Sequence, residues 1–365
     1  MKLQHLSIVN YKNIHSGEFD FSQKINCFVG DNGMGKTNVL DAIYYLSFCK
    51  SPTNPVDAQV INYDEDFFVL QGLYDCAGKE ENIYCGMKRK QKKQFKRNKN
   101  SYSRYSEHIG LLPLVMISPG DIDLILSGGE IRRCFLDTVI SQYDKTYLQM
   151  LIRYNNALQN RNKLLKEALT DELMFDIYEE ELAEYGAYIY AKRSEFVQDL
   201  MPIFQKYYSF ISEEKEQVQM EYSSHLQSGK SLKNLLQETR DRDKIIGFTT
   251  RGIHRDDIEM QLNSYPLKRT GSQGQIKTYL IALKLAQFEL LKNVSQKTPL
   301  LLLDDIFAKL DKSRVQQIIK LVSSDAFGQI FITDTNRENV DEILKSINKE
   351  YKLFAVKNGE IKEVS

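Results

Sequence analysis

The sequence has few cysteines, and they are not arranged to bind a metal or build a disulfide framework. Five are scattered along 365 residues with no C-x-x-C pair: Cys27, Cys49, Cys76, Cys85 and Cys134. Cysteine-based zinc sites and disulfide-rich secreted domains both need close, paired spacings. We therefore expect unreactive thiols in a reducing compartment.

Long apolar runs and an excess of charge of one sign are also missing. No run approaches the roughly 20 apolar residues that span a bilayer, and the opening "MKLQHLSIVNYKNI" lacks the apolar core of a signal peptide. The 49 basic residues equal the 49 acidic ones, so any contact with a polyanion must come from a local patch. These absences predict a cytoplasmic protein. Its length suits two domains or one domain with an insertion.

A glycine-rich loop is the first positive signal. Residues 29–46 read "VGDNGMGKTNVLDAIYYL", which matches G-x-x-x-x-G-K-T between a strand-like and a helix-like stretch. The glycines let backbone N–H groups converge on one point, at which the next helix aims its positive end. Lys36 would neutralise the β- and γ-phosphates, and Thr37 would offer a hydroxyl to Mg²⁺. The predicted nucleoside triphosphate site comprises Gly30, Asp31, Asn32, Gly33, Met34, Gly35, Lys36 and Thr37.

Two adjacent acids follow an apolar run near the other end of the sequence. Residues 299–311 read "PLLLLDDIFAKLD", and the four leucines predict a short, fully buried parallel strand. Asp304 and Asp305 then lie at its carboxyl end, where α/β sheets place ligand chemistry. Asp304 would hold Mg²⁺ through water, and Asp305 would orient or deprotonate an attacking water. The alternative is that both acids only cap a helix.

A second helix start precedes this strand. In "GSQGQIKTYLIALKLA" (271–286), Ser272 is suited to cap a helix that begins near Gln273, and Gly274 allows another backbone to approach. Such a helix start attracts anions, although an ordinary capped helix would show the same pattern.

The glycine loop, "SQGQ" and "LLLLDD", in this order, resemble the ATP-binding-cassette heads of SMC and Rad50 proteins. Other motifs are similar to the RecF family of bacterial recombination mediators and cover most of the chain in family order. They are "LSIVNYKNI", "ISPGDIDLILSGGEIRRCFLD" (117–137), "ISQYDKTYLQMLIRYNNALQNRNKLL" (140–165), "GIHRDD" (252–257), "GSQGQIKTYLIALKLA", "LLLLDDIFAKLD" (300–311) and "IFITDT" (330–335).

The resemblance implies an α/β fold: a P-loop ATPase head of the ABC type with an antiparallel β subdomain and an inserted helical lobe. It further implies ATP and Mg²⁺ as cofactors and a role in DNA repair, replication, recombination and the SOS response. The implied partners are gapped or single-stranded and duplex DNA, and the mediators RecR and RecO. Residues 30–37 fall on Walker A, Asp304-Asp305 on Walker B and Leu310-Asp311 on the D-loop.

By the same resemblance, Ser272, Gln273, Gly274 and Gln275 fall on the signature motif. In cassette ATPases the signature helix contacts the γ-phosphate held by a partner subunit. One loop and one signature per chain therefore predict an ATP-dependent homodimer with two complete sites. The catalytic set would be Lys36, Asp304, Asp305 and Ser272, with Ser272, Gly274 and Gln275 also contacting nucleotide.

The sequence departs from wider cassette ATPases at three places, and the first two departures predict slow hydrolysis, in which ATP acts mainly as a switch. The second acid is Asp305 rather than Glu, and the position after "FIT" is Asp334 rather than His. No glutamine marks a Q-loop, which the region near Ser118-Pro119 would replace.

Periodicity predicts how the chain is organised. Residues 1–120 are strand-rich after the first helix, and the pattern from Ile122 to Ile211 is helical with a break near Thr170. Strands are expected to return at 245. We therefore predict a discontinuous head, residues 1–120 plus 245–365, with a helical lobe at 121–244. The lobe has too little heptad pattern for a long coiled coil.

One segment concentrates positive charge. "KRKQKKQFKRNK" (88–99) holds eight Lys or Arg and no acid, so the rest of the chain is net acidic. Alternation and a turn at Asn98–Asn100 predict a β-hairpin. Phosphate contacts would give sequence-independent, salt-sensitive DNA binding; a solvated charged hairpin is the alternative. The predicted contacts are Lys88, Arg89, Lys92, Lys93, Lys96 and Arg97.

Other functions remain open at this point. They are a P-loop kinase for a small molecule, an SMC-like architectural ATPase and a nucleotide-dependent scaffold that never hydrolyses. ATP turnover stimulated by DNA rather than by a metabolite separates a DNA clamp from a kinase. Structural ion pairing is the expectation for the remaining motif residues Arg132, Arg133, His254 and Arg255.

Overall fold

The computed structural model of the chain describes residues 1–54, 56–167, 171–214, 216–307, 310–322, 324–335 and 350–364. Its strands are β1 (Lys2–Tyr11), β2 (Ile14–Asp20), β3 (Ile25–Val29), β4 (Phe67–Cys76), β5 (Lys79–Lys88), β6 (Gln94–Arg97), β7 (Asn100–Ser101), β8 (Leu114–Ile117), β9 (Val218–Ser223), β10 (Asp257–Leu262), β11 (Tyr265–Pro266), β12 (Leu300–Asp304), β13 (Ile330–Asp334), β14 (Tyr351–Lys357) and β15 (Glu360–Glu363). Its helices are α1 (Lys36–Phe48), α2 (Asp123–Leu126), α3 (Gly129–Ile140), α4 (Lys145–Lys166), α5 (Glu172–Ser212), α6 (Leu232–Ile246), α7 (Leu267–Thr270), α8 (Gln273–Ser295) and α9 (Lys312–Val322).

The chain divides into two compact units. Unit 1 comprises Met1–Asp121, Phe210–Ser212 and Lys277–Ser365, and unit 2 comprises Ile122–Ser209 and Glu213–Ile276. The sequence predicted a return to the head near residue 245, whereas unit 1 resumes at 277. The difference has a physical reason: among the described strands, β9, β10 and β11 pair with one another in a separate three-stranded sheet, which lies inside unit 2.

Unit 1 is built on two six-stranded sheets. One has the order β2-β1-β4-β5-β6-β7 and is antiparallel throughout. The other has the order β15-β14-β3-β13-β12-β8, and all of its pairs are parallel except β14 with β15. Every residue of β12 and β13 is buried, as expected of parallel strands covered on both faces. The predicted α/β class with an antiparallel subdomain is confirmed.

Helix α1 lies in the main hydrophobic core of unit 1. That core joins α1 residues such as Leu40 and Ile43 to Leu6 and Leu70 of the antiparallel sheet and to Leu302 of the parallel sheet. Because both sheets contact this helix, packing positions it as one rigid element between them.

Unit 2 contains the predicted helices together with an antiparallel sheet of order β11-β10-β9. The predicted break near Thr170 lies outside the described residues; α5 begins at Glu172, where the Asp171 side chain accepts a hydrogen bond from the Met174 amide. Of the stretch at 245–262 in which strands were predicted to return, only Asp257–Leu262 forms a strand. Helix α6 runs to Ile246 and ends at Gly247 in the left-handed region (φ 83°), so the strand begins only at Asp257.

A fully buried arginine joins three segments of unit 2. The guanidinium of Arg161 donates to Glu179 (2.9 Å), Asp243 (2.9 Å) and the Thr249 hydroxyl (2.8 Å). Arg161, Glu179 and Asp243 all have side chains that are 0% exposed. Arg161 thus supplies a cation to both buried carboxylates, and Glu179 also pairs with Arg240 (2.5 Å).

Replacing this arginine is expected to destabilise the chain strongly. Arg161→Met removes the cation paired with the buried Asp243 and leaves Glu179 with Arg240 alone, so we expect a loss of about 3–5 kcal/mol in the free energy of unfolding. Urea denaturation followed by circular dichroism measures it. The control Lys163→Met, on the same helix with 68% of its side chain exposed, should stay within about 0.5 kcal/mol. A loss below about 1 kcal/mol for Arg161→Met would contradict the structural role.

Candidate functional site

The glycine loop joins β3 to α1, as the sequence predicted. Gly35 precedes the helix with φ 114°, a conformation that L side chains rarely adopt. A side chain on Gly30 would collide with the carbonyl oxygen of Val356 on β14. The loop therefore lies tightly against the parallel sheet, and its glycines are needed for backbone conformation and close packing.

The first turn of α1 has no anionic or capping side chain of its own. Gly35 offers no side-chain hydrogen bond, and the turn contains no acidic residue. The Lys36 ammonium lies inside the curve of the loop and donates to the carbonyl oxygens of Gly30 (2.6 Å) and Asp31 (2.8 Å). Burial lowers the pKa of Lys36, against the opposing effect of nearby carboxylates, chiefly Asp305. A helix start without a capping side chain and the Lys36 ammonium thus lie next to each other, an arrangement suited to phosphate.

The loop and the acidic strand end meet through hydrogen bonds. The Thr37 hydroxyl lies 2.8 and 3.0 Å from the two carboxylate oxygens of Asp304, and the Thr333 hydroxyl donates to Asp304 at 2.6 Å. Burial raises the pKa of Asp304, while the hydroxyls of Thr333 and Thr37 lower it. This places together the two side chains predicted to hold Mg²⁺.

The residues fit a magnesium ion of the kind held jointly by protein and phosphates. Within the described ranges no cluster of three or more His, Cys, Asp or Glu is suited to a metal. Mg²⁺ is commonly held by one or two protein ligands, with phosphate oxygens and water completing its shell. Thr37 and Asp304 satisfy that smaller requirement.

Asp305 has a constrained backbone. It has φ 48°, its amide donates to the Thr333 carbonyl (3.1 Å), and its carbonyl accepts from the Lys277 ammonium (3.3 Å). Asp334 is buried at the end of β13, in register with Val29. Both acids therefore lie at the same sheet edge as the glycine loop.

The proposed substitute for a Q-loop also follows a strand of this sheet. Ser118 comes directly after β8, whose Ile117 is in register with Leu303 of β12. The Ser118 amide donates to Asp121 (2.7 Å), and Asp121 pairs with Lys284 (2.7 Å). The structure gives this segment a fixed turn but no glutamine.

Two supports of the loop were missed by sequence reasoning. The Asn13 amide side chain accepts from Asn38 (2.7 Å) and donates to the Gly33 carbonyl (3.3 Å). On the other side, the amide of Gly359, in the β14–β15 turn, donates to the Met34 carbonyl (2.9 Å). Asn13 lies in the "NYKNI" stretch of the family resemblance, which was the available signal; nothing local marked Gly359.

The signature segment belongs to unit 2 up to Ile276 and forms a capping box. The Ser272 hydroxyl accepts from the Gln275 amide (3.2 Å), and the Gln275 side chain accepts from the Ser272 amide (2.9 Å). The predicted helix start at Gln273 is confirmed. A side chain on Gly274 would meet nothing within 4 Å, so this helix start is sterically open to an approaching group. The predicted D-loop residues Leu310 and Asp311 directly precede α9, where the Asp311 carboxylate accepts a hydrogen bond from the Arg314 amide (2.9 Å).

The basic segment, residues 88–99, contains the predicted hairpin, with Lys96 paired to Ser101 and Arg97 to Asn100. Three of its six predicted DNA contacts have guanidinium or ammonium groups bonded within unit 1. Arg89 donates to the carbonyls of Glu65 and Asn62, and Arg97 forms a bidentate pair with Glu81 (2.7 and 2.6 Å).

Lys93 requires a correction. Its side chain is only 8% exposed and its ammonium bonds to Asp57 (2.8 Å), so Lys93 is not placed to contact a phosphate. Lys96 lies over the Tyr84 ring at 5.4 Å. Within the described part of the chain no side-chain hydrogen bond or ion pair is found for the ammonium groups of the exposed lysines of the segment, which are Lys88, Lys90, Lys92 and Lys99. Lys90 and Lys99 were missing from the prediction.

The arginines and histidine of "EIRRCFLD" and "GIHRDD" take part in structural bonds within unit 2. Arg132 forms a bidentate pair with Asp257 (2.5 and 2.9 Å), and Arg133 donates to the Asp256 carbonyl (2.7 Å). His254 is held between the Tyr154 hydroxyl (2.9 Å) and the Thr249 carbonyl (3.1 Å), and Arg255 donates to the same carbonyl (3.2 Å). The carbonyl of Thr249 fixes the proton of His254 on Nε2.

Comparisons with known proteins agree with this geometry. The family model described as the RecF/RecN/SMC N terminal domain matches residues 2–362. A protein named DNA replication and repair protein RecF from Phocaeicola vulgatus is 58% identical over 366 residues, covering 100% of this chain and 98% of that protein. One of the same name from Bacteroides thetaiotaomicron is also 58% identical, with 100% and 99% covered. A solved structure described as the recombination mediator protein RecF-ATP in the RecFOR pathway has a TM-score of 0.88 at 31% identity, covering 100% and 98% of the two chains.

Fold, glycine loop and acidic strand end define a P-loop ATPase head of the SMC-like ABC type. Within that class, the chain belongs to the RecF family. No helix in the described ranges is long and apolar enough to cross a membrane.

Acidification is expected to destabilise the chain through His254. Burial lowers the pKa of His254 to about 4 from an ordinary value of 6.5. Between these values the unfolded chain binds a proton that the folded chain does not, so stability falls as the pH falls, by up to about 3 kcal/mol. The free energy of unfolding, measured in urea at pH 7 and at pH 4.5, should therefore differ less between the two pH values in His254→Gln than in the wild type.

The control is His15→Gln, which removes an exposed histidine in unit 1. It should keep the wild-type difference between the two pH values. An unchanged pH dependence in His254→Gln would show that His254 is not the group responsible.

Proposed function

We propose that this protein binds ATP with Mg²⁺ at the glycine loop, dimerises on ATP and uses the dimer to bind DNA during repair and replication in the cytoplasm. The observation that carries the proposal is the hydrogen bond from the Thr37 hydroxyl to Asp304 (2.8 Å), because it joins the loop to the predicted metal ligand. The family relationship supports recombinase loading at gapped or single-stranded DNA, a part in the SOS response, and RecR and RecO as partners.

The phosphates would be held by groups that already face one point. Lys36 would transfer its hydrogen bonds from the carbonyls of Gly30 and Asp31 to phosphate oxygens, and the amides at the start of α1 would donate to them. Thr37 directly and Asp304 through water would hold Mg²⁺. When bound, the ion neutralises phosphate charge.

Slow hydrolysis follows from the acids at the sheet edge. Asp305 has a shorter side chain than the Glu usual at this position and a backbone held by Thr333 and Lys277, which limits its reach towards a water. Asp334 carries no proton donor comparable to His. ATP would therefore act mainly as a switch whose bound state lasts until slow turnover.

Dimerisation would place the signature of one copy on the nucleotide of the other. The chain has one glycine loop and one signature, and the Gly274 position is sterically open. Because Ser272 and the first amides of α8 would bind only when a γ-phosphate is present, ATP favours the closed dimer over separate chains.

Two substitutions should separate nucleotide binding from dimerisation. Lys36→Ala is expected to weaken ATP binding and keep the protein monomeric, since the loop loses its cation. Ser272→Arg should still bind ATP but remain monomeric, because a bulky cation occupies the signature helix start. Sedimentation with ATP, ADP or no nucleotide measures both.

The matched control is Ser228→Arg, an exposed serine elsewhere in unit 2, which should dimerise with ATP like the wild type. Normal ATP-dependent dimers of Ser272→Arg would rule out the proposed arrangement.

DNA binding is proposed for the exposed lysines of the basic segment and for the half-buried Lys96, whose ammonium lies over the Tyr84 ring. Its observable consequence is the slope of log affinity against log salt concentration, whose magnitude falls by about 0.9 for each phosphate that the protein no longer neutralises. Lys92→Met and Lys96→Met should each lower the magnitude of that slope by about 1, measured by fluorescence anisotropy on duplex and gapped DNA. Lys163→Met, an exposed lysine of unit 2, should leave it unchanged. If Lys88, Lys92 and Lys96 replaced together keep the wild-type slope, the DNA surface lies elsewhere.

A further inference from the structure

Lys93 lies in the basic segment but its side chain turns into unit 1. The ammonium donates to the Cys49 carbonyl (2.5 Å), the Asp57 carboxylate (2.8 Å) and the Tyr45 hydroxyl (3.1 Å). It also lies 5.0 Å from the centre of the Tyr45 ring and 5.1 Å from that of Tyr105. Such a site is built for one cation, with a charged partner, a backbone acceptor and two aromatic faces.

The site lies at the C-terminal end of α1. Cys49 is the cap residue of that helix, in the left-handed region with φ 57°, and Tyr45 lies in the last turn. The last turn contains no basic residue of its own, although a cation there complements the helix dipole. Lys93 supplies that cation from the loop between β5 and β6.

A second contact joins the same helix end to the same subdomain. His108 Nε2 donates to the Leu46 carbonyl (2.7 Å), and its Nδ1 lies 3.0 Å from the Tyr102 hydroxyl. The amide of Tyr102 in turn donates to the Phe95 carbonyl on β6 (3.2 Å). The terminal carbonyls of α1 are thus bonded to groups in or next to the basic segment.

The opposite end of α1 is the glycine loop. The helix has 13 residues, about 20 Å at 1.5 Å per residue, and it is packed between two sheets. A shift of the β5–β6 loop would therefore move the C-terminal end of a rigid element whose N-terminal end presents Lys36 and Thr37.

We propose that Lys93 is a positioning residue that couples DNA at the neighbouring lysines to nucleotide affinity at the glycine loop. The inference rests on the proposed function, because it needs both ligands to bind where that proposal places them. Coupling of this kind is reciprocal: DNA changes the ATP affinity by the same factor by which ATP changes the DNA affinity.

The experiment measures that factor directly. The dissociation constant of a non-hydrolysable ATP analogue is determined on the full chain with and without saturating 30-base-pair duplex, and the ratio of the two constants is the coupling factor. The wild type is expected to show a factor of about 10, within the usual range for allosteric coupling. Lys93→Met should bring the factor close to 1 and leave the salt slope for DNA unchanged.

Lys92→Met is the matched control, because Lys92 is the exposed neighbour in the same loop. It should lower the salt slope by about 1 and retain the wild-type coupling factor at saturating DNA. General loss of stability in Lys93→Met does not imitate the result, because bound DNA favours the folded chain, and partial unfolding would therefore raise the ratio rather than bring it close to 1.

If Lys93→Met folds poorly, Tyr105→Phe provides the second variant. It removes only the hydroxyl that donates to the Lys93 carbonyl (2.7 Å) and keeps the ring, so the factor should fall part of the way.

Three results would overturn the inference. The first is a coupling factor of 1 in the wild type, and the second is a wild-type coupling factor in Lys93→Met. The third is a salt slope that Lys93→Met reduces as much as Lys92→Met does, which would make Lys93 a DNA contact. The first two leave ATP and DNA binding intact and so spare the proposed function. Failure of the proposed function appears separately, as wild-type protein that binds no analogue or no duplex.

Discussion

The hydrogen bond between Thr37 and Asp304 joins two parts of the chain that are 267 residues apart in sequence. Its geometry depends on the order of the parallel sheet, in which β13 separates β3 from β12 and supplies Thr333 as a second donor to the same carboxylate. Because parallel strands end at one edge, a loop after β3 and an acid at the end of β12 meet there. The nucleotide chemistry proposed for this chain requires that edge to be ordered as it is.

Local signals allowed the centre of the site to be predicted from sequence. The glycine spacing, Lys36, Thr37 and the leucine run before Asp304 each reflect a backbone or burial requirement within a few residues. The capping box at Ser272 was predictable for the same reason. Asn13 and Gly359 support the loop through contacts that are distant in sequence, so periodicity and spacing carried no information about them.

Charge was the least reliable guide. A segment in which eight of twelve residues are basic is typical of a solvated surface. Nevertheless, the Lys93 side chain is only 8% exposed, and Arg97 pairs with Glu81, which is buried on β5. Such basic groups are buried only where acids, carbonyls and aromatic rings from other segments surround them. The composition of the local segment does not show whether those partners are present. The same holds in unit 2, where Arg161 and its two carboxylates are wholly buried. In unit 2, the apolar residues Ile245 and Ile246 suggested the start of a strand, but they end helix α6.

The β14–β15 turn has a consequence for how the protein is made. Strand β14 pairs with β3, and the Gly359 amide donates to the Met34 carbonyl. One side of the glycine loop is therefore packed against residues that the ribosome synthesises more than 300 residues later. A nascent chain that ends at α8 contains the glycine loop but lacks β14, Gly359 and Asp304. The glycine loop therefore reaches the geometry described above only after the last two strands of the parallel sheet have been synthesised.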